Sequence, residues 1–289
     1  MKKNTNLIVV VPCHNGDFPL AEQLIAWIGE LDGKLPFPIL IAVDQTVDMN
    51  RVVPLFEAAK AIFEHARAIT LQIPAGGWKP NAMFLASSKY VMENYECPFL
   101  WLEPDCVPLK SGWLADINEA YQKTPLRFMG AVVEQSGQKG LPAKHLTGCS
   151  VYPNDAYVDF ERIAEVNSGR AAWDIGGGEK IVTASQNTTL IQHFWGSQDK
   201  PPVFVETRTV DAPENHVMLD FIKPNAVLFH RSKDGNLLAI LRKNKPKQTP
   251  PKTPSQTGDG TATPEQPLSD ADLEKLTAPN PPAQTKTLE

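Results

Sequence analysis

The sequence predicts an α/β fold in which a mostly parallel central sheet is flanked by helices. Short apolar runs rich in β-branched residues alternate along the chain with longer segments whose apolar residues recur at helical spacing. Such alternation of strands and helices produces parallel sheets whose strands are buried on both faces. A change of composition near residue 244 separates this body from a tail rich in proline and threonine.

The first half of the body predicts three strands and three helices in alternation. The opening run LIVVV is continuous and mostly β-branched, as in a strand covered on both faces. The segment after it repeats apolar residues every three or four positions, as in a helix packed along one side. In chain order, the predicted elements are a strand at 7–11, a helix at 20–31, a strand at 37–43, a helix at 53–68, a strand at 69–73 and a helix at 82–94.

The second half of the body continues this pattern less regularly. Its predicted elements are a strand at 99–102, a helix at 114–122 and strands at 128–133 and 145–153. The polar, glycine-containing segment 133–145 is predicted to be a mobile loop.

Residues 244–289 are predicted to form a disordered C-terminal tail. They contain no aromatic residue and are dense in proline, threonine, glutamine and lysine. Such a segment cannot bury enough apolar surface to offset the entropy of ordering. We therefore expect one domain over residues 1–243.

Composition narrows the functional classes. No apolar run approaches the roughly 20 residues of a membrane span, and no signal-peptide cleavage site follows the first strand. The four cysteines are scattered without metal-site spacing, which favours reduced thiols and a cytoplasmic location.

The charge of the body carries no basic excess. Of 28 basic and 33 acidic residues, the tail from Asn244 onward contains 5 and 6, so the body has a net charge of −4. This balance weakens any proposal of tight nonspecific binding to nucleic acid.

The most informative segment is FLWLEPDCVPL, in which a buried strand ends at two acidic residues, Glu103 and Asp105. Ligands of open α/β sheets bind beyond the carboxyl ends of the strands, so both side chains fall where a site is expected. Two carboxylates in this place can hold Mg²⁺ or Mn²⁺ against a diphosphate. The alternative is that acidic residues simply close the strand and begin a turn.

This segment resembles the Asp-x-Asp motif of GT-A glycosyltransferases, with Glu103 in place of the first aspartate. The opening VVVPCHNGD is similar to the first strand and loop of that Rossmann-like fold, and GGWKPN to the segment before its metal motif. The resemblance covers about residues 7–237. It departs from the family at Glu103 and in lacking the arginine usually found before Asn81.

The resemblance implies a nucleotide-binding part at about 1–110 and an acceptor part at about 111–243. It also implies that a nucleotide-sugar donor, most simply a UDP-sugar, and Mn²⁺ or Mg²⁺ are bound. The implied donor-binding residues are Pro12, His14, Asn15, Asp44, Lys79, Asn81 and Gly148.

Three further acidic or basic residues complete the predicted site. Asp174, beside Trp173 and before three glycines, is the leading candidate for a catalytic base, and Glu179 is its competitor. His230 resembles the late histidine that returns to the metal in many GT-A enzymes, so Glu103, Asp105 and His230 are the predicted metal ligands. Arg231 and Lys233 could then meet phosphate charge. The structural alternatives are a helix cap for Asp174 and a β-bulge for Gly148.

Two other functions remain open at this stage. A nucleotidyltransferase could use the same carboxylates, but its first loop is typically rich in glycine and basic residues, and PCHNGDFP is neither. A sugar- or nucleotide-binding module without catalysis is the second.

The acceptor is the least determined part of the prediction. WLEPDCVPL followed by HLTGCSVYP resembles phage-encoded glycosyltransferases that modify hydroxymethylated bases in DNA, which would place the protein in a host cytoplasm. The basic clusters at 139–144 and 242–247 agree with DNA, whereas the acidic body does not. A cell-surface glycan or a small molecule is the alternative acceptor. The oligomeric state and the stereochemical outcome are not predicted by any motif.

Overall fold

A computed structural model describes residues 7–73, 79–134, 142–166, 171–194, 200–207, 209 and 211–244. The strands in these ranges are β1 (Ile8–Cys13), β2 (Leu35–Asp44), β3 (Phe63–Leu71), β4 (Phe99–Trp101), β5 (Cys106–Pro108), β6 (Phe128–Glu134), β7 (Lys144–Tyr152), β8 (Ser185–Asn187), β9 (Ile191–His193), β10 (Val203–Val205), β11 (His216–Met218) and β12 (Leu228–His230). The helices are α1 (Phe18–Asp32), α2 (Met49–Ile62), α3 (Lys79–Asn94), α4 (Trp113–Lys123), α5 (Ala156–Val166), α6 (Trp173–Gly176), α7 (Gly178–Thr183) and α8 (Asn236–Asn244), with one 3-10 turn at Leu219–Phe221.

The central sheet has seven strands in the order β3-β2-β1-β4-β7-β6-β8. Its pairs are parallel except for those of β7, which runs antiparallel to both β4 and β6. The prediction of an α/β fold with a mostly parallel sheet flanked by helices is therefore confirmed.

Strand β1 shows why the first apolar run is continuous. Its side chains alternate between two hydrophobic clusters, with Val9 and Val11 on one face of the sheet and Ile8 and Val10 on the other. Helix α1 covers the first face, and the aromatic side chain of Phe84 from α3 packs in the cluster on the second. A strand buried on both faces has no position for a polar side chain until it ends.

A second, three-stranded sheet brings the end of the body back to the acidic segment. In it β12 lies between β5, to which it is antiparallel, and β9, to which it is parallel. Register pairs His230 with Cys106 on β5 and with His193 on β9. This pairing carries residues from the far end of the body to the residue after Asp105.

The predicted helix at 53–68 is wrong over its last six residues, whereas the strand predicted at 69–73 overlaps the end of an observed strand, β3. Helix α2 ends at Ile62, and Phe63 adopts an extended conformation with φ −96° and ψ 145°. Residues 63–71 instead form β3, which pairs in parallel with β2 at the edge of the sheet. The helical spacing arose because an edge strand leaves polar side chains exposed on more than one side, and sheet pairing overrides the local preference.

Two other expectations fall largely on segments that the structure does not describe. The predicted mobile loop at 133–145 is described only at its two ends, which belong to β6 and β7. The predicted tail lies outside the described residues from 245 onward. In the described ranges, none of the helices has the length and apolar character needed to cross a bilayer.

Phe84 lies at the centre of an aromatic cluster and should be a main determinant of stability. Its ring stacks on Trp173 with centroids 3.6 Å apart and meets the edges of Trp101, Tyr152 and Phe160. We expect Phe84→Ala to lower the free energy of unfolding by about 3–5 kcal/mol, measured by denaturant unfolding. Phe221→Ala is the matched control because Phe221 is 40% exposed, and it should cost about 1 kcal/mol or less. Equal losses would contradict this assignment.

Candidate active site

Polar residues follow the carboxyl ends of three adjacent parallel strands. His14 comes directly after β1, Asp44 closes β2, and Glu103 and Asp105 follow β4. Strand β1 pairs with β2 on one side and with β4 on the other. The fold thus brings the separate predicted segments to one edge of the sheet, which is where open α/β sheets bind ligands.

A cavity of about 310 Å³ opens at this edge. Five of the predicted site residues line it, namely Pro12, His14, Lys79, Glu103 and Asp105. The other lining residues are Cys13, Asp17, Leu20, Pro80, Met83, Trp101, Pro104, Trp173 and Lys233. The cavity therefore combines apolar walls with carboxylates and two lysines, which is the composition of a site for a small charged ligand.

His230 lies between the two carboxylates of the acidic segment. Its Nε2 is 3.0 Å from Glu103 Oε2 and 3.4 Å from Asp105 Oδ1. The backbone N–H of Ser232 donates to the carbonyl of Asp105 at 2.9 Å, which fixes the two segments against each other. The three predicted metal ligands therefore converge, although 127 positions separate Glu103 from His230.

The charged side chains of this cluster shift one another's pKa values. Burial alone would lower the pKa of His230, but Glu103 and then Asp105 outweigh it and hold that pKa well above its usual value. Burial raises the pKa of Asp105, whereas the charge of His230 and that of Lys233 bring it below its usual value. The raised pKa of His230 and the lowered pKa of Asp105 both favour an ion pair between these two side chains.

The donor set fits a divalent cation. Asp105 Oδ1 is buried and accepts no hydrogen bond from the described residues. Two carboxylates and one imidazole offer the oxygen and nitrogen ligands that Mn²⁺ and Mg²⁺ accept, and other positions stay open to phosphate. Glu103, Asp105 and His230 are the residues that would hold such an ion.

Cys106 lies close to this group without adding a useful ligand. The ligand atoms of Asp105, Cys106 and His230 are all within 4.8 Å of one another. The Cys106 Sγ is, however, 3.3 Å from Cys149 Sγ, and burial followed by that neighbour raises the pKa of the Cys106 thiol well above its usual value. Mn²⁺ and Mg²⁺ prefer oxygen and imidazole ligands to sulfur, so Cys106 is not counted among the residues that would hold such an ion.

Gly148 on β7 makes room for Glu103. A Cβ at this position would lie 2.3 Å from Glu103 Oε1 and 3.5 Å from the Trp173 ring. The space that this glycine leaves is occupied by a carboxylate of the same chain. The register of β6 with β7 also shifts opposite residues 147–149, as the alternative of a β-bulge predicted. A contact between Gly148 and a donor remains a prediction.

Asn81 fixes the segment that carries Asp174. Its Nδ2 donates to the carbonyl of Ala171 at 3.1 Å, and its Oδ1 accepts from the N–H of Trp173 at 2.7 Å. Both ends of this buried amide are thus used within the protein. The predicted contact of Asn81 with a donor is untested, and the visible role of Asn81 is to position the start of α6.

Asp174 is a half-buried carboxyl group in the field of the acidic cluster. Burial raises its pKa, the charge of Glu103 raises it further, and the result is about 7 despite the N–H of Ile175 donating to Oδ1 at 2.9 Å. A carboxyl group with a pKa near neutrality is suited to accept a proton at physiological pH. Glu179, the competing candidate, is exposed in the first turn of α7.

Lys79, which lines the cavity, lies beside the buried Asp44. The Lys79 Nζ is 3.7 Å from Asp44 Oδ2, which is buried and accepts no hydrogen bond from described residues. Burial raises the pKa of Asp44, but hydrogen bonds from Thr46 and the charge of Lys79 bring it below its usual value. Nearby, the side chain of Asn15 donates to the carbonyl of Thr46 at 3.2 Å, so the loops after β1 and β2 are joined.

Two residues near the site were missed by the sequence prediction. Asp17 lines the cavity, and its carboxylate is 3.3 Å from His14 Nε2. Burial raises the pKa of Asp17, and the charges of Asp105 and Glu103 raise it further. Its place in the loop after β1 was a usable signal. His193 contacts His230 at 2.9 Å, and only the register of β9 with β12 reveals it.

The chain is similar in structure to several glycosyltransferases. The galactosyltransferase LgtC, in complex with donor and acceptor sugar analogues, matches with a TM-score of 0.47 and 12% identity over 80% of this chain and 88% of that one. Mouse xyloside xylosyltransferase 1 matches with a TM-score of 0.45 and 8% identity over 78% of this chain and 97% of that one. The mannosyltransferase PcManGT from Pyrobaculum calidifontis, in complex with GDP-Man and Mn²⁺, matches with a TM-score of 0.42 and 14% identity over 63% and 54% of the two chains.

No protein-family model matches the sequence, and no curated protein does. At these identities, and with TM-scores below 0.5, the structural matches do not by themselves assign an activity. Function therefore has to be inferred from the geometry of the site.

The raised pKa of Asp174 predicts a pH-dependent stability difference in the presence of a chelator. A carboxyl group with a raised pKa stabilises the folded state fully below its unfolded pKa of about 3.9, and this contribution is lost as pH rises through about 7. Asp174→Asn cannot ionise, so its stability relative to wild type should increase over this range by on the order of a few kcal/mol. Denaturant unfolding at several pH values measures the difference.

The control for this experiment is Asp116→Asn, at a partly exposed position on α4 where the carboxylate pairs with Lys110. Its stability should follow that of wild type across the same range. A constant difference between Asp174→Asn and wild type from pH 4 to pH 8 would contradict a raised pKa.

Proposed function

We propose that this chain is a metal-dependent glycosyltransferase that moves a sugar from a nucleotide-diphosphate sugar to an acceptor hydroxyl. The observation that supports this most directly is the convergence of Glu103, Asp105 and His230 beside a cavity that also contains two lysines. A divalent ion held by these three side chains would neutralise the departing diphosphate as a Lewis acid.

The cavity has the right charges for the donor. Lys79 and Lys233 line it together with Glu103 and Asp105, so ammonium groups and carboxylates face one volume. The ammonium groups donate hydrogen bonds to phosphate oxygens, which are stronger than neutral ones. Asp44, closing β2 and within reach of Lys79, is available to the ribose or base. We propose a UDP-sugar as the first donor to test, and compare it with sugars carried by other nucleotides.

Asp174 is the proposed general base. The acceptor oxygen forms a bond to the anomeric carbon, the bond from that carbon to the diphosphate oxygen breaks, and the proton of the hydroxyl moves to the Asp174 carboxylate. One direct displacement of this kind inverts the anomeric configuration. Asp174 is favoured over Glu179 because Asp174 is next to Trp173, which lines the cavity, whereas Glu179 is exposed.

The described charges favour a glycan or small-molecule acceptor over DNA. Part of each basic segment singled out for DNA is described, and there Lys144 pairs with Glu134, Arg242 with Glu30 and Lys243 with Glu206. Cations already held in ion pairs contribute less to a phosphate-binding surface. A hydroxymethylated base in DNA remains the second acceptor candidate, and it rests on the sequence resemblance.

The first experiment measures release of nucleoside diphosphate from a panel of UDP- and GDP-sugars, with and without Mn²⁺. Wild type should turn over at least one donor only with Mn²⁺, and Asp105→Asn should lose that activity. Asp174→Asn should bind the donor but react about 10²–10⁴-fold more slowly because it lacks the base. Asp116→Asn, on α4 outside the residues that line the cavity, is the matched control and should retain full activity.

Other outcomes of this panel are equally informative. Full activity of Asp174→Asn would remove it as the base and leave Glu179 as the candidate. Metal-dependent nucleotide binding without turnover would indicate a binding module, and synthesis of a nucleotide-sugar from a triphosphate would indicate a nucleotidyltransferase. With acceptors added, an affinity that falls steeply with salt would indicate DNA, and a shallow dependence a neutral glycan.

Lys79 should contribute to donor affinity rather than to stability. Removing an ammonium group that contacts phosphate costs about tenfold in affinity or more, since hydrogen bonds to charged groups are worth about 1.5–3 kcal/mol. We expect Lys79→Met to weaken binding of UDP with Mn²⁺ by this factor in calorimetric titrations. Lys89→Met, on the same helix but facing Glu93, should bind as wild type does. Equal affinities for all three proteins would exclude Lys79 from the donor site.

A further inference from the structure

His193 and His230 form a pair across two neighbouring strands behind the acidic cluster. Their Nδ1 atoms are 2.9 Å apart, and their ring centroids are 4.7 Å apart. The two residues are register partners in the parallel pairing of β9 with β12. The contact therefore follows from the backbone pairing rather than from a chance rotamer.

Each ring nitrogen of His230 faces a different partner. Nε2 faces Glu103 and Asp105, and Nδ1 faces the Nδ1 of His193. The cross-strand hydrogen bond contains one proton, which lies either on His230 or on His193. If it lies on His193, the proton of a neutral His230 is on Nε2, directed at the carboxylates. If it lies on His230 Nδ1, a neutral His230 has its lone pair on Nε2.

We propose that His193 is a positioning residue that accepts the Nδ1 proton of His230 and so presents the Nε2 lone pair of His230 to the metal beside Glu103 and Asp105. This inference rests on the metal site of the proposed function. The partner of a metal-bound histidine on its second nitrogen fixes the tautomer and the ring orientation. Here that partner is a second imidazole rather than the more usual carboxylate or backbone carbonyl.

An imidazole partner has a property that a carboxylate lacks. The unprotonated Nδ1 of His193 accepts the Nδ1 proton of His230 whether Nε2 of His230 carries a proton facing the carboxylates or binds a cation. The pair can therefore remain hydrogen-bonded in both states. A carboxylate in the same place would accept as well, but it would add a third negative charge to the buried group.

The short strand β9 is held rigidly enough for this role. Beside His193, the side-chain amide of Gln192 donates to the carbonyl of Phe221 at 2.9 Å and accepts from the N–H of Lys223 at 2.8 Å. On the other side, the N–H of Phe194 donates to the carbonyl of His230 at 3.5 Å. Rigid support of this kind is what holds a metal ligand in its productive orientation.

The experiment titrates Mn²⁺ into the full chain and follows loss of the free-ion electron paramagnetic resonance signal. We expect His193→Leu, which cannot accept a hydrogen bond, to bind Mn²⁺ about 10–100-fold more weakly than wild type. His193→Asn places an amide where Nδ1 was and should keep affinity to within about threefold of wild type, because an amide both donates and accepts. His65→Leu, on the exposed edge strand β3, is the matched control and should bind as wild type does.

A second measurement separates positioning from a structural role. In ¹⁵N-labelled wild type with Zn²⁺ as a diamagnetic probe, histidine nitrogen shifts should show an unprotonated Nδ1 and a protonated Nε2 on His193, as acceptance from His230 requires. A proton on Nδ1 of His193 would overturn the proposal. Because this reading uses wild type, it decides the proposal even where His193→Leu does not fold.

The two proposals fail in different ways. If wild type binds no Mn²⁺, the metal site and the role of His193 are both overturned. If wild type binds Mn²⁺ and a folded His193→Leu binds it equally well, only the role of His193 is overturned. Weaker binding by the Leu variant and near-normal binding by the Asn variant would support it.

Discussion

The buried contact of His230 with Glu103 and Asp105 is the interaction on which the rest of the site depends. Two carboxylates in a partly desolvated position repel each other, and burial of each unpaired charge costs several kcal/mol. One imidazole between them supplies the opposite charge, and a divalent cation could supply it more strongly. His230 reaches the carboxylates because β12 pairs with β5. The pairing of this late strand therefore determines whether the charges of the site are balanced.

The surrounding backbone is shaped to accept that cluster. Gly148 is the residue whose lack of a side chain leaves room for Glu103 Oε1. Directly after His230, the buried Arg231 adopts φ 88°, in the left-handed region that non-glycine residues seldom occupy. Such strain persists only where neighbouring contacts impose it, and it is concentrated at functional sites. Both features lie within one residue of the acidic cluster or in contact with it.

The sequence predicted the sheet better than the details of the site. Buried parallel strands are continuous apolar runs, so β1, β2 and β4 were visible, and the carboxylates after β4 were visible because an apolar run ends there. The first six residues of β3 were mistaken for the end of a helix because β3 lies at the sheet edge with polar residues on more than one side.

Contacts set by register could not be predicted. His193 has no local signal, since its contact with His230 exists only through the pairing of β9 with β12. Asn81 was predicted as a ligand contact from its motif, yet a motif does not show that both ends of its amide hold the backbone around Trp173. The sequence identified which residues gather at the site, and the structure shows which of them support the others.

The same charge cluster shifts the pKa values of two carboxyl groups in opposite directions. Burial raises the pKa of both Asp105 and Asp174. The charge of the neighbouring His230 then brings the pKa of Asp105 below its usual value, whereas the charge of Glu103 adds to the effect of burial on Asp174, whose pKa rises to about 7. Asp105 therefore stays ionised, as a metal ligand must, and Asp174 can exchange a proton near neutral pH. Carboxyl groups whose environments separate their pKa values in this way have different chemical roles. That separation is the physical reason for the proposal that Asp105 serves the diphosphate and Asp174 the acceptor hydroxyl.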